Sequence, residues 1–152
     1  MKITDFLSPA DVVLDVKTAN KGQLLRLLAM RAAAAAGLDA DEVATLILKR
    51  EELGSTGVGN GVALPHARLP GLEAPFGLLA RLRRCIDFEA IDDQPVDIVF
   101  LLLLPETANG EQLNALACAA RLLRNPVALS QVRGAANPDA LFRALAEPGS
   151  TV

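Results

Sequence analysis

The chain has 152 residues, 51% of them apolar, with 15 basic and 18 acidic side chains, two cysteines and one histidine. That length favours a single domain over 1–152, burying about 70% of its unfolded surface without a disulfide or metal staple. A formal net charge of −3, scattered basic residues and five Phe as the whole aromatic content argue against nucleic acid as a partner.

The start, Met1 to Asp5, lacks the apolar segment of a signal peptide, and the longest apolar run, Ile98 to Leu104, is too short to span a bilayer. A cytoplasmic protein with no membrane insertion is expected. Cys85 and Cys118 lie far apart, outside any Cys-x-x-Cys unit, and read as small buried hydrophobes in a reducing compartment. With one His and two Cys, neither a metal site nor a cofactor is expected.

Asp11 to Val16 predicts a short strand. Asn20 caps an alanine-rich helix that ends at Gly37, and Asp39 caps a second, about 40–52. Val43, Leu46, Ile47 and Leu53 form its apolar stripe and are assigned to the core. The segment from Gly54 to His66 holds the densest glycine cluster in the chain. Gly57, Gly59 and Gly61 alternate with Val58, Asn60 and Val62; in an extended chain this strips one face of side chains. Pro65 stiffens the backbone just before His66.

Phe76 to Leu82 predicts a strand, Ile86 to Phe88 a second short one, and Ala90 to Pro95 a turn-rich connection. Val96 to Leu104 is apolar almost throughout, as in a central strand covered on both faces. Asn109 caps a helix to about Arg124 with Leu113, Leu116, Ala117, Ala120 and Leu123 inward. Asn125-Pro126 and Asn137-Pro138 each start a short helix. Helix pairs and adjacent strands break strict βαβ alternation, so the fold class expected is an α/β sandwich with a mixed sheet.

The glycine segment fits neither common phosphate loop. Gly54 and Gly59 have the spacing of an ATP-binding loop, but Asn60-Gly61 stands where the lysine and hydroxyl residue belong. The dinucleotide pattern fails because Val62 takes the place of its third glycine. Two readings of His66 stay open on residue pattern alone. One is a structural histidine among turn glycines; the other is a reactive imidazole beside bare backbone N–H groups.

The stretch Lys49 to His66, with Arg50-Glu51, Ser55-Thr56-Gly57 and Pro65-His66, resembles the phosphorylation-site signature of enzyme IIA proteins of the phosphoenolpyruvate-dependent phosphotransferase system. The likeness is to the fructose/mannitol/nitrogen class. Ala90 to Asp97, through Leu104-Pro105, resembles a second marker of that class and points to its nitrogen-regulatory branch. The likeness spans nearly the whole chain in order and length.

The resemblance implies a three-layer sandwich, a mixed β-sheet flanked by helices, and a phosphohistidine carrier. His66 would accept a phosphoryl group, at Nε2, from an HPr-like carrier. Arg50 would stabilise that group through its guanidinium fork. Ser55, Thr56, Gly57 and Asn60 are candidate phosphoryl-binding residues. Gln112 stands where many members carry a second active-site histidine; it offers an amide N–H but does not titrate. The output would be control of partners such as kinases or transporters through phosphorylation state, with a homodimer also compatible. Two alternatives remain: a sugar-specific IIA passing phosphate to a IIB cysteine, and a binding module that has lost transfer.

Overall fold

The computed structural model describes residues 1–106 and 110–147, the side chains of 110–113 excepted. Strand β1 (Val12–Val16) leads into helices α1 (Lys21–Ala36) and α2 (Ala40–Glu52). Strands β2 (Gly57–Gly59), β3 (Val62–Ala63), β4 (His66–Leu69), β5 (Phe76–Ile86) and β6 (Val96–Pro105) follow. Helices α3 (Gly110–Arg124), α4 (Pro126–Gly134) and α5 (Pro138–Ala146) close the described chain.

The helix starts are set by side-chain caps that replace missing intrahelical acceptors. Asn20 Oδ1 accepts from Gln23 N at 2.9 Å, and Asp39 Oδ1 from Asp41 N at 2.8 Å. Asn125 and Asn137 cap α4 and α5 in the same way, each followed by Pro in the first turn. Gly37 ends α1 at φ +71°, a left-handed conformation suited to a residue without Cβ. Asn109, the expected cap of α3, lies outside the described residues.

The six strands form one mixed sheet in the order β1-β5-β6-β3-β2, with β4 also on β6. β5 and β6 are antiparallel; β1 runs parallel to β5, and β3 and β4 run parallel to β6. Along β6, Val99, Leu101 and Leu103 pack with α1 and α2, while Ile98, Phe100, Leu102 and Leu104 pack with α3, α4 and α5. Strand alternation therefore feeds two cores from one strand, the reason for its unbroken apolar run. The result is the three-layer α/β sandwich expected.

Local readings differ in four places. Residues 57–62 are not one extended segment. Asn60 and Gly61, at φ +57° and +79°, form a two-residue hairpin turn that folds β3 back on β2. Asn-Gly is the pair best suited to two successive left-handed residues. Phe76–Ile86 is one strand rather than two, with a register shift between Arg81 and Ile86. Within that interval Cys85 is exposed, not buried; Cys118 is buried as expected. On α3, Ala115, Cys118 and Ala119 are the deeply buried small residues, and Ala117 faces outward. Leu123 is buried and Leu116 and Ala120 pack against the core as expected, so the expectation fails at Ala117, and the Leu113 side chain lies outside the described residues.

Candidate functional site

His66 opens β4, opposite Leu102 of β6. Pro65 just before it restricts the chain, and the Pro65 carbonyl accepts from Leu102 N at 2.9 Å. Ala67 and Leu69 turn into the core shared with α1 and α2. By strand alternation His66 and Arg68 share the other face. The imidazole is half-buried and held by the sheet rather than by a loop.

One ring nitrogen is committed. His66 Nδ1 lies 2.9 Å from the Leu64 carbonyl oxygen. A carbonyl only accepts, so Nδ1 carries the proton and donates. In the neutral ring the lone pair then belongs to Nε2. Burial holds the His66 pKa below its ordinary value; the Leu64 carbonyl opposes that shift, the Arg50 charge adds to it, and Glu51 opposes it. The net effect is a neutral imidazole at pH 7, the form that acts as a nucleophile.

His66 borders a cavity of about 680 Å³ between the end of α2 and the sheet. Three cations border it too: Lys49, Arg50 and Arg68. Among the described residues the side chains of Lys49 and Arg68 make no hydrogen bond or ion pair. Arg50 Nη1 donates to the Gly54 carbonyl at 3.1 Å, which leaves its other N–H groups uncommitted to that bond. Among the described residues Glu52 is the one acid on the wall. A neutral nucleophile faced by an excess of cations is suited to a dianionic electrophile.

Leu46 and Leu53, both expected in the core on helical spacing, both line this cavity; Leu46 also packs against the core as expected, and Leu53 does not. Leu53 is 84% exposed. α2 ends at Glu52, so the helical period no longer places Leu53. Leu46, next to the buried Ile47, sits on the flank of the stripe that faces His66.

The other candidates divide by position. Ser55 Oγ donates to the Phe88 carbonyl at 2.7 Å and accepts from Gly57 N at 3.1 Å. Thr56 Oγ1 donates to the Glu51 carboxylate. Gly57 sits against Ala90 so closely that a Cβ there would lie 2.7 Å from the Ala90 Cβ. Asn60 is in the hairpin turn, its N–H on Asp92 at 3.0 Å and its carbonyl on Arg133. Val62 pairs with Ile98 and His66 with Leu102, so the turn lies about 13 Å or more along β6 from the imidazole. None of these four lines the His66 cavity. The Gln112 side chain lies outside the described residues.

Glu51 was not singled out from sequence. It is 8% exposed, accepts from Thr56 N at 2.9 and 3.0 Å, and lies 3.6 Å from Lys21 Nζ. A signal was present: an acid in the last helical turn opposes the macrodipole and calls for a local compensating partner. Among the described residues no group of three His, Cys, Asp or Glu is placed to hold a metal ion, and no helix is long and apolar enough to cross a membrane.

The family pattern described as "Phosphoenolpyruvate-dependent sugar phosphotransferase system, EIIA 2" matches residues 5–147. The chain is 47% identical over 151 residues to a nitrogen regulatory protein of Bradyrhizobium diazoefficiens, covering 99% of each. It is 34% identical over 144 residues to a nitrogen regulatory protein of Pseudomonas aeruginosa, covering 94% of each. The crystal structure of the nitrogen regulatory protein IIA-Ntr from Neisseria meningitidis matches with a TM-score of 0.88 at 31% identity, over 94% of this chain and 98% of that one. IIA mannitol from Escherichia coli, at 18% identity and a TM-score of 0.76 over 92% of this chain and 99% of that one, shares the fold.

Proposed function

The chain belongs to the EIIA 2 family of the phosphoenolpyruvate-dependent sugar phosphotransferase system, and on that premise we propose that it is a regulatory phosphohistidine carrier. His66 accepts a phosphoryl group from the phosphohistidine of an HPr-like donor in the cytoplasm. The observation that carries this reading is the Nδ1–H bond to the Leu64 carbonyl at 2.9 Å, which leaves Nε2 as the nucleophile beside a cation-lined cavity.

The chemistry is a nitrogen-to-nitrogen transfer. The Nε2 lone pair attacks phosphorus in line as the donor's N–P bond breaks, so one N–P bond replaces another. Positive charge that develops on the ring is stabilised through Nδ1–H by the Leu64 carbonyl. Negative charge on the phosphoryl oxygens is met by the Arg50 fork, with Lys49 and Arg68 adding to the field. Beyond the His66 nucleophile itself, the protein's contribution to such a transfer is positioning and electrostatics.

A phosphoryl group adds about −1.5 to −2 charges, by analogy with other phosphorylated side chains. On a cavity rimmed by Leu46, Leu53, Leu104 and Leu116, that charge changes which partner surfaces fit. The regulatory reading is favoured over sugar transport because the relatives at 47% and 34% identity are nitrogen regulatory proteins. Its targets would be proteins such as kinases or transporters.

The test is incubation with phosphoenolpyruvate, enzyme I and the HPr-like carrier. An acid-labile phosphoryl adduct on the wild type, absent in His66→Ala, supports the reading. A charged carrier that leaves the wild type unmodified overturns it and leaves a pure binding module. Quantitative onward transfer to a IIB cysteine would replace the regulatory output with sugar transport.

A further inference from the structure

Resting on His66 as the phosphoryl acceptor, we propose that Glu51 is a positioning residue for that reaction: its buried carboxylate, countered by Lys21, anchors Thr56, and Thr56 anchors the segment whose Leu64 carbonyl holds the imidazole.

The links from Glu51 to the imidazole are hydrogen bonds, and Lys21 is held to Glu51 by a longer ion pair. Lys21 Nζ lies 3.6 Å from Glu51 Oε2, donates to the Phe88 carbonyl at 3.2 Å and stands 4.6 Å from the centre of the Phe88 ring. The Glu51 carboxylate takes both donors of Thr56, its N–H and its hydroxyl. The Thr56 carbonyl accepts from Leu64 N at 3.0 Å. The Leu64 carbonyl accepts from His66 Nδ1 at 2.9 Å. A carboxylate this far from solvent persists only when its oxygens are occupied by donors, and here they are occupied by the backbone and side chain of one residue and by an ammonium.

The same anchor acts on the other side of the site. Residues 53–56 run from the end of α2 to β2, and Arg50 is tied to that run through Gly54 O at 3.1 Å. Glu51 therefore fixes the loop that carries a tether of the phosphoryl-binding arginine and the loop's contact with the imidazole segment. It touches the ring with no atom; it acts on geometry through Thr56, and its charge also works against the lowering of the His66 pKa. A carboxylate is required because Thr56 N–H, Thr56 O–H and Lys21 are all donors. Glutamine offers one acceptor oxygen and turns an NH₂ toward those donors.

The experiment uses the full chain with Glu51→Gln, Thr56→Val and Thr56→Ser. Three quantities are read: the single-turnover rate of phosphoryl uptake from the charged carrier, the urea midpoint, and the tautomer of His66 from its ring ¹⁵N shifts. Glu51→Gln and Thr56→Val are expected to slow uptake by about tenfold or more while folded, since small misplacements of reacting groups act at this scale. Their His66 rings should shift from the pure Nδ1–H tautomer to a mixture. Thr56→Ser, which keeps the hydroxyl, should restore rate and tautomer.

Folded Glu51→Gln and Thr56→Val with wild-type rate and tautomer would overturn the proposal, as would Thr56→Ser as slow as Thr56→Val. If Glu51→Gln does not fold, the Thr56 pair decides. The tautomer is read without any donor protein, so a wild type that refuses phosphate would defeat the carrier reading while this positioning role is still tested.

Discussion

Arg50 and Glu51, consecutive residues in the last turn of α2, both hold the loop that follows the helix, at Gly54 and at Thr56. Arg50 borders the His66 cavity and bonds to Gly54 O at 3.1 Å; Glu51 is 8% exposed and grips Thr56. One helical turn thus delivers a cation to the His66 cavity and an anion to the buried contact with Thr56.

The arginine carries the first prediction. Arg50→Ala should lower the single-turnover rate of His66 phosphorylation by about 10²-fold, the scale for loss of one preorganised charge donor. Arg50→Lys should recover part of that loss, because an ammonium keeps the charge and forfeits the planar fork. An Arg50→Ala rate equal to wild type in a quenched-flow assay would remove Arg50 from the site.

pH dependence follows from the direction of the His66 shift. Burial lowers its pKa, so the folded protein binds fewer protons than the unfolded chain between the folded value and the ordinary value of about 6.5. The stability contributed by the neutral ring is fully present above about pH 6.5 and is lost as pH falls through the depressed folded value. Phosphoryl uptake should likewise stay level above about pH 6.5 and fall only below the depressed value, since protonation removes the Nε2 lone pair. Urea unfolding at several pH values, compared with His66→Ala, isolates the term. A His66 midpoint above about 6.5 by NMR would reverse the sign.

Gly57 tests the packing that shapes the loop. A Cβ there would lie 2.7 Å from the Ala90 Cβ and 2.9 Å from its Cα. Gly57→Ala should cost about 1–3 kcal/mol, the usual range for overpacking. Adding Ala90→Gly should return part of it, with the remainder reflecting the backbone contact. Urea midpoints of the two single variants and the double variant give the coupling; additive effects would mean the contact is relaxed elsewhere.

How much of this was legible in the sequence depends on the range of the interaction. Helix starts at Asn20, Asp39, Asn125 and Asn137 are local chemistry: the caps expected at Asn20 and Asp39 form, and the helices expected after Asn125 and Asn137 start there. The central strand was visible because both its faces are covered, leaving no polar alternation between Ile98 and Leu104. His66 stood out as the single imidazole after a glycine cluster, and the structure places it on a cation-lined cavity with Arg50. The misses had other causes. Asn60-Gly61 carried its own turn signal, overridden by the alternation of glycines around it. Leu53 fell outside the helix whose period was used to assign it. Glu51 depends on Lys21, 30 positions earlier, and their meeting follows from how α1 packs on α2, which no local pattern encodes.

The central claim concerns one nitrogen atom, and the chain has one histidine to report it. Two-dimensional ¹H–¹⁵N spectra of the imidazole, recorded before and after incubation with phosphoenolpyruvate, enzyme I and the HPr-like carrier, test it most directly. The account predicts a neutral Nδ1–H ring that becomes phosphorylated at Nε2 with Nδ1–H retained on Leu64. A phosphoryl group on Nδ1, or a ring unchanged in the presence of charged carrier, would contradict it.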